Sequence, residues 1–334
     1  MLAIDLAVRA KTKAAFKTAL KQFAKELQPA VTTADGQWAI KGFLDVFRNV
    51  YTITADTKIV SKILEIHLFP RLLEFAAENG YRIVLTDHQN WYPDFSFVHK
   101  DNPNVRFAVD LKTTYRHPTR EDFVNGFTLG SHGEYFQDRT STKNIQFPYE
   151  TYYGHFCLGL IYTRTDLPAG AVENADEEKD ILDEMAIYSV EELGSVGGAA
   201  PDMKHRSVKT LRDITSVMTN LQFFVCEKWE LASDRSGSGN TANIGSIKHI
   251  DDILNGRGVF SRLGEESFDE YWKNYGKISV IIDGKDRKIS DLRNYLAFKG
   301  RDPALAHHRA ERKLKAVYAT KGGKAQKVKK GRRP

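Results

Sequence analysis

The sequence predicts an α/β or α+β domain whose central mixed β-sheet is flanked by helices. Two observations lead to this fold class. Apolar segments of strand-like composition cluster in the middle of the chain, and segments of helical periodicity lie before and after them. The chain has 334 residues, of which 41% are hydrophobic and 28% charged, which is enough for a globular protein with a sizeable core.

Two helices are predicted before the strands. Residues 2–28 carry an apolar stripe at helical spacing, with lysines on the other faces. The stripe consists of Phe16, Leu20, Phe23 and Leu27. A second helix is predicted from Thr57 to Asn79, because Gly80 provides a stop signal, and Pro70 is expected to kink or divide it.

Six short apolar segments predict β-strands. They are residues 81–86, 94–98, 105–114, 156–163, 221–229 and 278–282. The first three follow one another through turn residues, which predicts a strand meander. Residues 165–209 are acidic and contain several glycines, and we interpret them as a loop-rich insertion.

Basic residues concentrate at the C-terminal end. Residues 309–334 contain eleven Lys or Arg and one acid, a net charge of +10, whereas the whole chain carries +6. Such a segment is expected to be disordered and to bind polyanions such as DNA in a salt-dependent manner, the alternative being a solubilising tail. We therefore divide the chain into one folded domain, residues 1–308 with an N-terminal helical extension, and a tail, residues 309–334.

The two cysteines and the lengths of the apolar runs indicate the cellular compartment of the protein. Cys157 and Cys226 lie in apolar segments, which indicates core packing in a reducing cytoplasm rather than a disulfide or a zinc site. No apolar run approaches the roughly 20 residues that span a bilayer, and the lysine-rich N-terminus is unlike a secretory signal. The sequence therefore predicts a cytoplasmic protein without a membrane partner.

One group of charged residues lies among the predicted strands. Asp94 follows Pro93 at the start of one strand, and Asp110 and Lys112 lie in the apolar strand that comes next. The pattern of an acid two residues before a lysine is uninformative alone, since it occurs seven times in the chain. At residues 110–112 the pattern is specific for a catalytic site, because it lies within an apolar strand and follows an upstream Pro-Asp. Because side chains alternate along a strand, Asp110 and Lys112 share a face.

These residue types suit metal-dependent hydrolysis of a phosphodiester. If the two strands are neighbours, Asp94 and Asp110 converge as oxygen ligands for Mg²⁺, which polarises the phosphate, while Lys112 orients or activates the nucleophile. The alternative is structural: Asp94 caps a turn, and Asp110 and Lys112 form a solvent-facing ion pair on an edge strand.

Further motifs extend around these residues in a definite order. They are YPDF at 92–95, DLKTTY at 110–115, FTLG at 127–130, TKNI at 142–145, YTR at 162–164, GSGNTANIGS at 237–246 and YWKNY at 271–275. On these motifs the chain resembles the EcoRV family of type II restriction endonucleases, within the PD-(D/E)xK nuclease superfamily. The resemblance covers most of residues 50–300.

The resemblance implies a restriction-endonuclease-like core and Mg²⁺-dependent cleavage of double-stranded DNA by a homodimer. It implies a palindromic six-base-pair site, GATATC, cut at its centre to leave blunt ends. A two-fold dimer suits a palindrome because each subunit presents one active site to one strand. A companion DNA methyltransferase is implied as a functional partner, not as a stable complex.

The resemblance also assigns residues to roles. Asp94 and Asp110 look like the metal ligands, Lys112 like the catalytic lysine, and Glu65 on the second helix like a further catalytic acid and metal ligand. The DNA-contacting positions it implies are Gln89 and Asn90 at the minor groove, Lys143 near a phosphate, and Gly237, Ser238, Gly239, Asn240, Thr241 and Asn243 in a major-groove loop. The physics agrees: glycine permits close backbone approach, Asn binds adenine bidentately, and Thr offers a methyl group to thymine.

Two alternatives stay open at this point. One is a sequence-specific DNA-binding protein that uses the same loops without cleavage, although a pure binder would not need Asp94, Asp110 and Lys112 together. The other is an endonuclease of the same fold with a different recognition site. One or two loop residues shift a base preference by about 1–3 kcal/mol each, so the sequence does not fix that site.

Overall fold

The computed structural model describes residues 2–46, 49–88, 90–165, 187–190, 205–208, 214–238, 241–282 and 285–307. The first helix, α1 (Leu2–Val31), follows the predicted periodicity, because Phe16, Leu20 and Leu27 are all buried. This stripe packs on the central sheet, where the ring of Phe16 stacks on that of Phe107 with centroids 4.1 Å apart. The helix is therefore part of the core.

The second helix, α2 (Thr57–Glu78), begins at a side-chain cap. Asp56 accepts hydrogen bonds from the backbone N–H groups of Lys58 at 2.8 Å and Ile59 at 3.1 Å, which satisfies two donors of the first turn. The helix ends before Gly80, whose φ of +77° is the left-handed conformation that glycine favours. Pro70 lies inside the helix and does not divide it.

A five-stranded central sheet follows. Its strands are β3 (Tyr81–Val84), β4 (Phe95–His99), β5 (Arg106–Tyr115), β7 (Gly154–Arg164) and β10 (Met218–Glu227), in the order β10-β7-β5-β4-β3. The first three form the predicted antiparallel meander, whereas β5 and β7 run parallel. An apolar core fills each face of the sheet, and α1 and α2 contribute to one of them. The prediction of a mixed sheet flanked by helices is confirmed.

A second sheet lies beyond the end of β10. A short helix, α4 (Lys228–Leu231), connects β10 to β11 (Ala232–Ser238), so the predicted strand 221–229 ends two residues early. β11 pairs with β12 (Thr241–Ser246), which pairs in turn with β6 (Thr128–Ser131). Of the predicted loop 237–243, residues 237–238 and 241–243 thus belong to paired β-strands, and residues 239 and 240 lie outside the described residues.

A third sheet joins distant parts of the sequence. It consists of β1 (Gly42–Leu44), β2 (Asn49–Thr52), β8 (Ile187–Val190) and β9 (His205–Val208). β8 and β9 belong to the segment 165–209, which therefore supplies two strands. Two parts of the sequence lie outside the described residues. They are the rest of that segment, residues 166–186, 191–204 and 209, and the predicted tail 309–334.

Short elements complete the fold. They are α3 (Glu134–Gln137), α5 (Ile250–Leu254), α6 (Glu265–Asn274), α7 (Leu292–Phe298), β13 (Ser279–Ile282) and β14 (Lys285–Lys288). The predicted strand 278–282 corresponds to β13, but it pairs with β14 in a separate hairpin rather than joining the central sheet. Within the described residues, no helix is both long and apolar enough to cross a membrane.

Candidate active site

The pairing of β4 with β5 brings two aspartates together. Asp94 directly precedes β4, and since Phe95 pairs with Val109, Asp94 lies opposite Asp110. The backbone N–H of Asp94 donates to Oδ1 of Asp110 at 3.2 Å, and the N–H of Leu111 donates to Oδ2 of Asp94 at 2.7 Å. Backbone hydrogen bonds thus fix both side chains, which we call the carboxylate pair.

Lys112 completes this group. It shares a face of β5 with Asp110, and its Nζ lies 3.0 Å from Oδ2 of that residue. β5 is an interior strand between β4 and β7, and only 5% of Asp110 is exposed. These facts contradict the alternative of a solvent-facing ion pair on an edge strand. The structure brings Asp94, Asp110 and Lys112 together, and their catalytic roles stay predictions.

The charges of the group influence one another strongly. Burial and the charge of Asp110 raise the pKa of Asp94 to about 6, against the opposing effect of Lys112. Burial disfavours the charged form of Lys112, but the attraction of Asp110 and Asp94 outweighs it and raises the pKa of this lysine. Lys112 is therefore a firmly held cation at neutral pH, whereas the charge of Asp94 is poorly compensated.

The carboxylate pair fits a hard divalent cation. Two neighbouring carboxylates in a largely buried site repel each other, which is one cause of the raised pKa of Asp94. A divalent cation that prefers oxygen ligands would relieve this repulsion. Asp94 and Asp110 are the residues that would hold it.

Glu65 lies on α2, next to this site. Its charge contributes to the raised pKa of Asp94, so it belongs to the same electrostatic field. A hydrogen bond of 2.6 Å between the hydroxyls of Ser61 and Thr113 ties this part of α2 to β5. The Glu65 carboxylate itself faces Lys62, with Oε1 2.8 Å from Nζ. The structure pairs Glu65 with Lys62, and its role as a metal ligand stays a prediction.

A different acidic group occurs at the start of α5. Ligand atoms of His249, Asp251 and Asp252 lie within 4.8 Å of one another. Arg257 forms ion pairs with both aspartates, including one of 3.1 Å between its Nε and Oδ1 of Asp252. The arginine already compensates these charges, so the carboxylate pair is the better candidate for a cation.

The predicted DNA-contacting residues come from three segments of the chain, at 89–90, 143 and 237–243. Asn90 is exposed in the turn before Trp91. Lys143 is exposed as well, and its Nζ lies 2.8 Å from Oε1 of Glu134. Three of the predicted positions lie outside the described residues: Gln89, Gly239 and Asn240.

The other predicted positions belong to the β11–β12 hairpin. Ser238 pairs with Thr241 at its end, and Asn243 pairs with Ser131 of β6. A Cβ atom on Gly237 would lie 2.7 Å from Cγ2 of Thr128. Close packing of the sheet therefore requires a glycine at position 237, independently of any approach to DNA.

Sequence reasoning missed one charged residue near this site. Lys228 at the start of α4 is only 2% exposed. In the sequence it lies between Glu227 and Trp229, like many surface lysines that follow a strand. Its burial results from tertiary packing around α4, which no local pattern reveals.

Comparisons with known proteins identify the family of this chain. The family profile described as "Restriction endonuclease EcoRV" matches residues 34–195 and 195–300. The type II restriction enzyme EcoRV of Escherichia coli is 30% identical over 277 residues, which cover 83% of this chain and 98% of that enzyme. The matched residues include Asp94, Asp110 and Lys112, and the chain belongs to the EcoRV family of restriction endonucleases.

Proposed function

We propose that this restriction endonuclease hydrolyses double-stranded DNA with Mg²⁺, using the carboxylate pair and Lys112. The observation that carries this proposal is the fixed geometry of Asp94 and Asp110 on adjacent strands, with an ammonium group 3.0 Å from one of them. Two buried like charges held side by side destabilise the folded protein unless a cation binds to them. A site for Mg²⁺ explains why these residues occur together.

The aspartates and the lysine of the site would have different roles in the reaction. Asp94 and Asp110 hold the ion, which polarises the scissile phosphate when bound. Lys112 keeps its proton at neutral pH because the two aspartates raise its pKa. It therefore acts as a hydrogen-bond donor and a positive charge that orients the attacking water and stabilises the charge that develops on the phosphate, rather than as a general base.

For the substrate we propose a palindromic six-base-pair site, with GATATC cut bluntly at its centre as the specific expectation. The similarity of residues 237–246 to the family motif supports a major-groove role of the β11–β12 hairpin, with Asn240 on adenine and Thr241 on thymine. Gln89 and Asn90 would face the minor groove, and Lys143 a phosphate. A central pyrimidine–purine step would also be easy to distort, which adds specificity.

We further propose a homodimer. Three large apolar side chains on or next to β1 are exposed: Phe43 by 53%, Leu44 by 63% and Val46 by 90%. A cluster of exposed apolar residues on a small sheet is typical of a protein interface. A second copy of the chain, related by a two-fold axis, would cover this surface and match the symmetry of a palindrome.

The cellular setting belongs to the same proposal. A restriction enzyme requires a companion DNA methyltransferase that protects host DNA, as a functional partner and not as part of a stable complex. The prokaryotic cytoplasm holds that DNA, and the two cysteines, both free and buried, suit its reducing conditions.

Digestion of a long DNA of known sequence with Mg²⁺, followed by sequencing of the fragment ends, tests the proposal. Blunt ends at the centre of GATATC would support both the chemistry and the specificity. Ends at another palindrome would retain the nuclease and reject the proposed site. Binding without cutting would favour the alternative of a sequence-specific DNA-binding protein.

A further inference from the structure

Lys228 is a buried cation that the proposed mechanism does not use. Only 2% of the residue is exposed, and its Nζ has no hydrogen-bond partner within the described part of the chain. An ammonium group withdrawn from water without a partner destabilises the folded state. A residue that costs stability at this position calls for a functional explanation.

Aromatic rings surround the ammonium group. Nζ of Lys228 lies 5.0 Å from the ring centroid of Tyr92, 5.4 Å from that of Phe136 and 5.5 Å from that of Tyr149. We call these three residues the aromatic cage. The faces of aromatic rings are electron-rich and attract cations, so the cage partly replaces the lost hydration.

The cage is built into the core and leaves the cation little freedom. The rings of Tyr92 and Tyr149 lie nearly parallel at 6.1 Å, and Tyr149 stacks on His155 at 3.7 Å. The Tyr92 hydroxyl lies 2.9 Å from Nδ1 of His155. A Cβ atom on Gly130 would lie 3.7 Å from Nζ of Lys228, so the ammonium lies against the backbone of β6.

Two paths connect this cation to the carboxylate pair. The first is covalent, because Tyr92 of the cage lies two residues before Asp94 in the chain. The second is electrostatic: burial lowers the pKa of Lys228 to about 8, and the charge of Asp110 opposes this shift. The opposite charges of Lys228 and Asp110 thus attract each other.

We propose that Lys228 is a positioning residue of the nuclease reaction, whose caged ammonium holds Tyr92, and through it Asp94, in the geometry that the reaction requires. The inference rests on the proposed function, since it assigns Lys228 an effect that passes through the carboxylate pair. Lys228 directly follows β10 of the central sheet and lies against Gly130 of β6, so its effect on Asp94 would pass through Tyr92.

The test compares Lys228→Met and Lys228→Gln with the wild type and with Lys299→Met, a lysine of an exposed ion pair with Glu270. Three quantities are measured on the full chain: the single-turnover cleavage rate with Mg²⁺, the affinity for cognate DNA in Ca²⁺, and the melting temperature. We expect the cleavage rate of Lys228→Met to fall about 10- to 100-fold, as a small misplacement of a catalytic group would cause. DNA affinity should stay unchanged, and the melting temperature should equal or exceed that of the wild type, because a buried unpaired charge has been removed.

The outcomes separate this inference from the proposed function. A wild-type cleavage rate in Lys228→Met, while Asp94→Ala is inactive, would overturn the inference and leave the function intact. Full cleavage by Asp94→Ala would overturn both. A different result is that Lys228→Met and Lys228→Gln both have a lower melting temperature and both lose cleavage and DNA binding. Lys228 would then have only a structural role, and the inference would be overturned.

Discussion

The backbone N–H of Asp94 donates a hydrogen bond of 3.2 Å to Oδ1 of Asp110, the residue opposite it on the neighbouring strand. The two carboxylates are therefore related by strand register, not by flexible side chains that happen to meet. A shift of the register by one residue would send Asp110 to the other face of the sheet. The core packing that fixes this register also fixes the candidate site.

We expect Asp94→Ala to lose cleavage by at least about 100-fold, because the variant lacks one of the two groups proposed to hold the metal. Cognate DNA binding in Ca²⁺ should persist. Asp101→Ala, at an exposed turn residue, is the matched control and should cut normally. Gel-based cleavage and binding assays measure both effects, and normal cutting by Asp94→Ala would remove this residue from the mechanism.

The raised pKa of Asp94 predicts an unusual dependence of stability on pH. Its pKa rises from 3.8 to about 6 on folding, so between these values the folded protein holds a proton that the unfolded chain has released. The free energy of unfolding should therefore decrease as the pH rises from about 4 to 6 in metal-free buffer, by on the order of 2 to 3 kcal/mol. Denaturant unfolding of the wild type and of Asp94→Asn measures this, since the variant should lack the decrease.

Addition of Mg²⁺ should reverse that trend. The ion competes with the proton for Asp94, so it should stabilise the folded wild type more at pH 7 than at pH 5, and it should have little effect on Asp94→Asn. Equal stabilisation of both proteins at both values of pH would show that the ion binds elsewhere.

Lys112→Gln should reduce cleavage by about 100-fold and alter its pH dependence. The lysine lowers the pKa of Asp94, so its loss should raise that pKa further and move the acidic limb of the cleavage profile to higher pH. Cleavage rates measured from pH 5 to 9 test this. A lower rate with an unmoved profile would mean that Lys112 acts without charge coupling to Asp94.

Asn240→Ala should lose specific DNA affinity while nonspecific binding persists. A bidentate contact between asparagine and adenine contributes about 1–3 kcal/mol of discrimination, which corresponds to roughly 5- to 150-fold in affinity. Competition binding with cognate and scrambled duplexes measures the change, and Asn104→Ala at an exposed turn serves as control. Unchanged discrimination would reject the proposed role of the hairpin.

Local sequence pattern could predict those parts of the fold and of the site that depend on strand alternation and helical periodicity. The stripe of α1, the meander β3–β5 and the shared face of Asp110 and Lys112 all follow from such patterns. The third sheet could not be predicted, because β2 pairs with β8 across more than a hundred residues. Lys228 could not be predicted either, since its burial depends on rings that residues 92, 136 and 149 bring from separate elements.

Deletion of residues 309–334 should weaken nonspecific DNA binding and reduce its dependence on salt. The segment carries a net charge of +10, and each basic residue that contacts a phosphate adds about 0.9 to the slope of log affinity against log salt concentration. Cleavage at the cognate site at low salt should change little, because the carboxylate pair and the hairpin stay intact. The slope is measured from affinities for a noncognate duplex at salt concentrations from about 50 to about 200 mM. An identical slope for the full-length and shortened chains would assign the tail a role other than DNA binding, such as solubility.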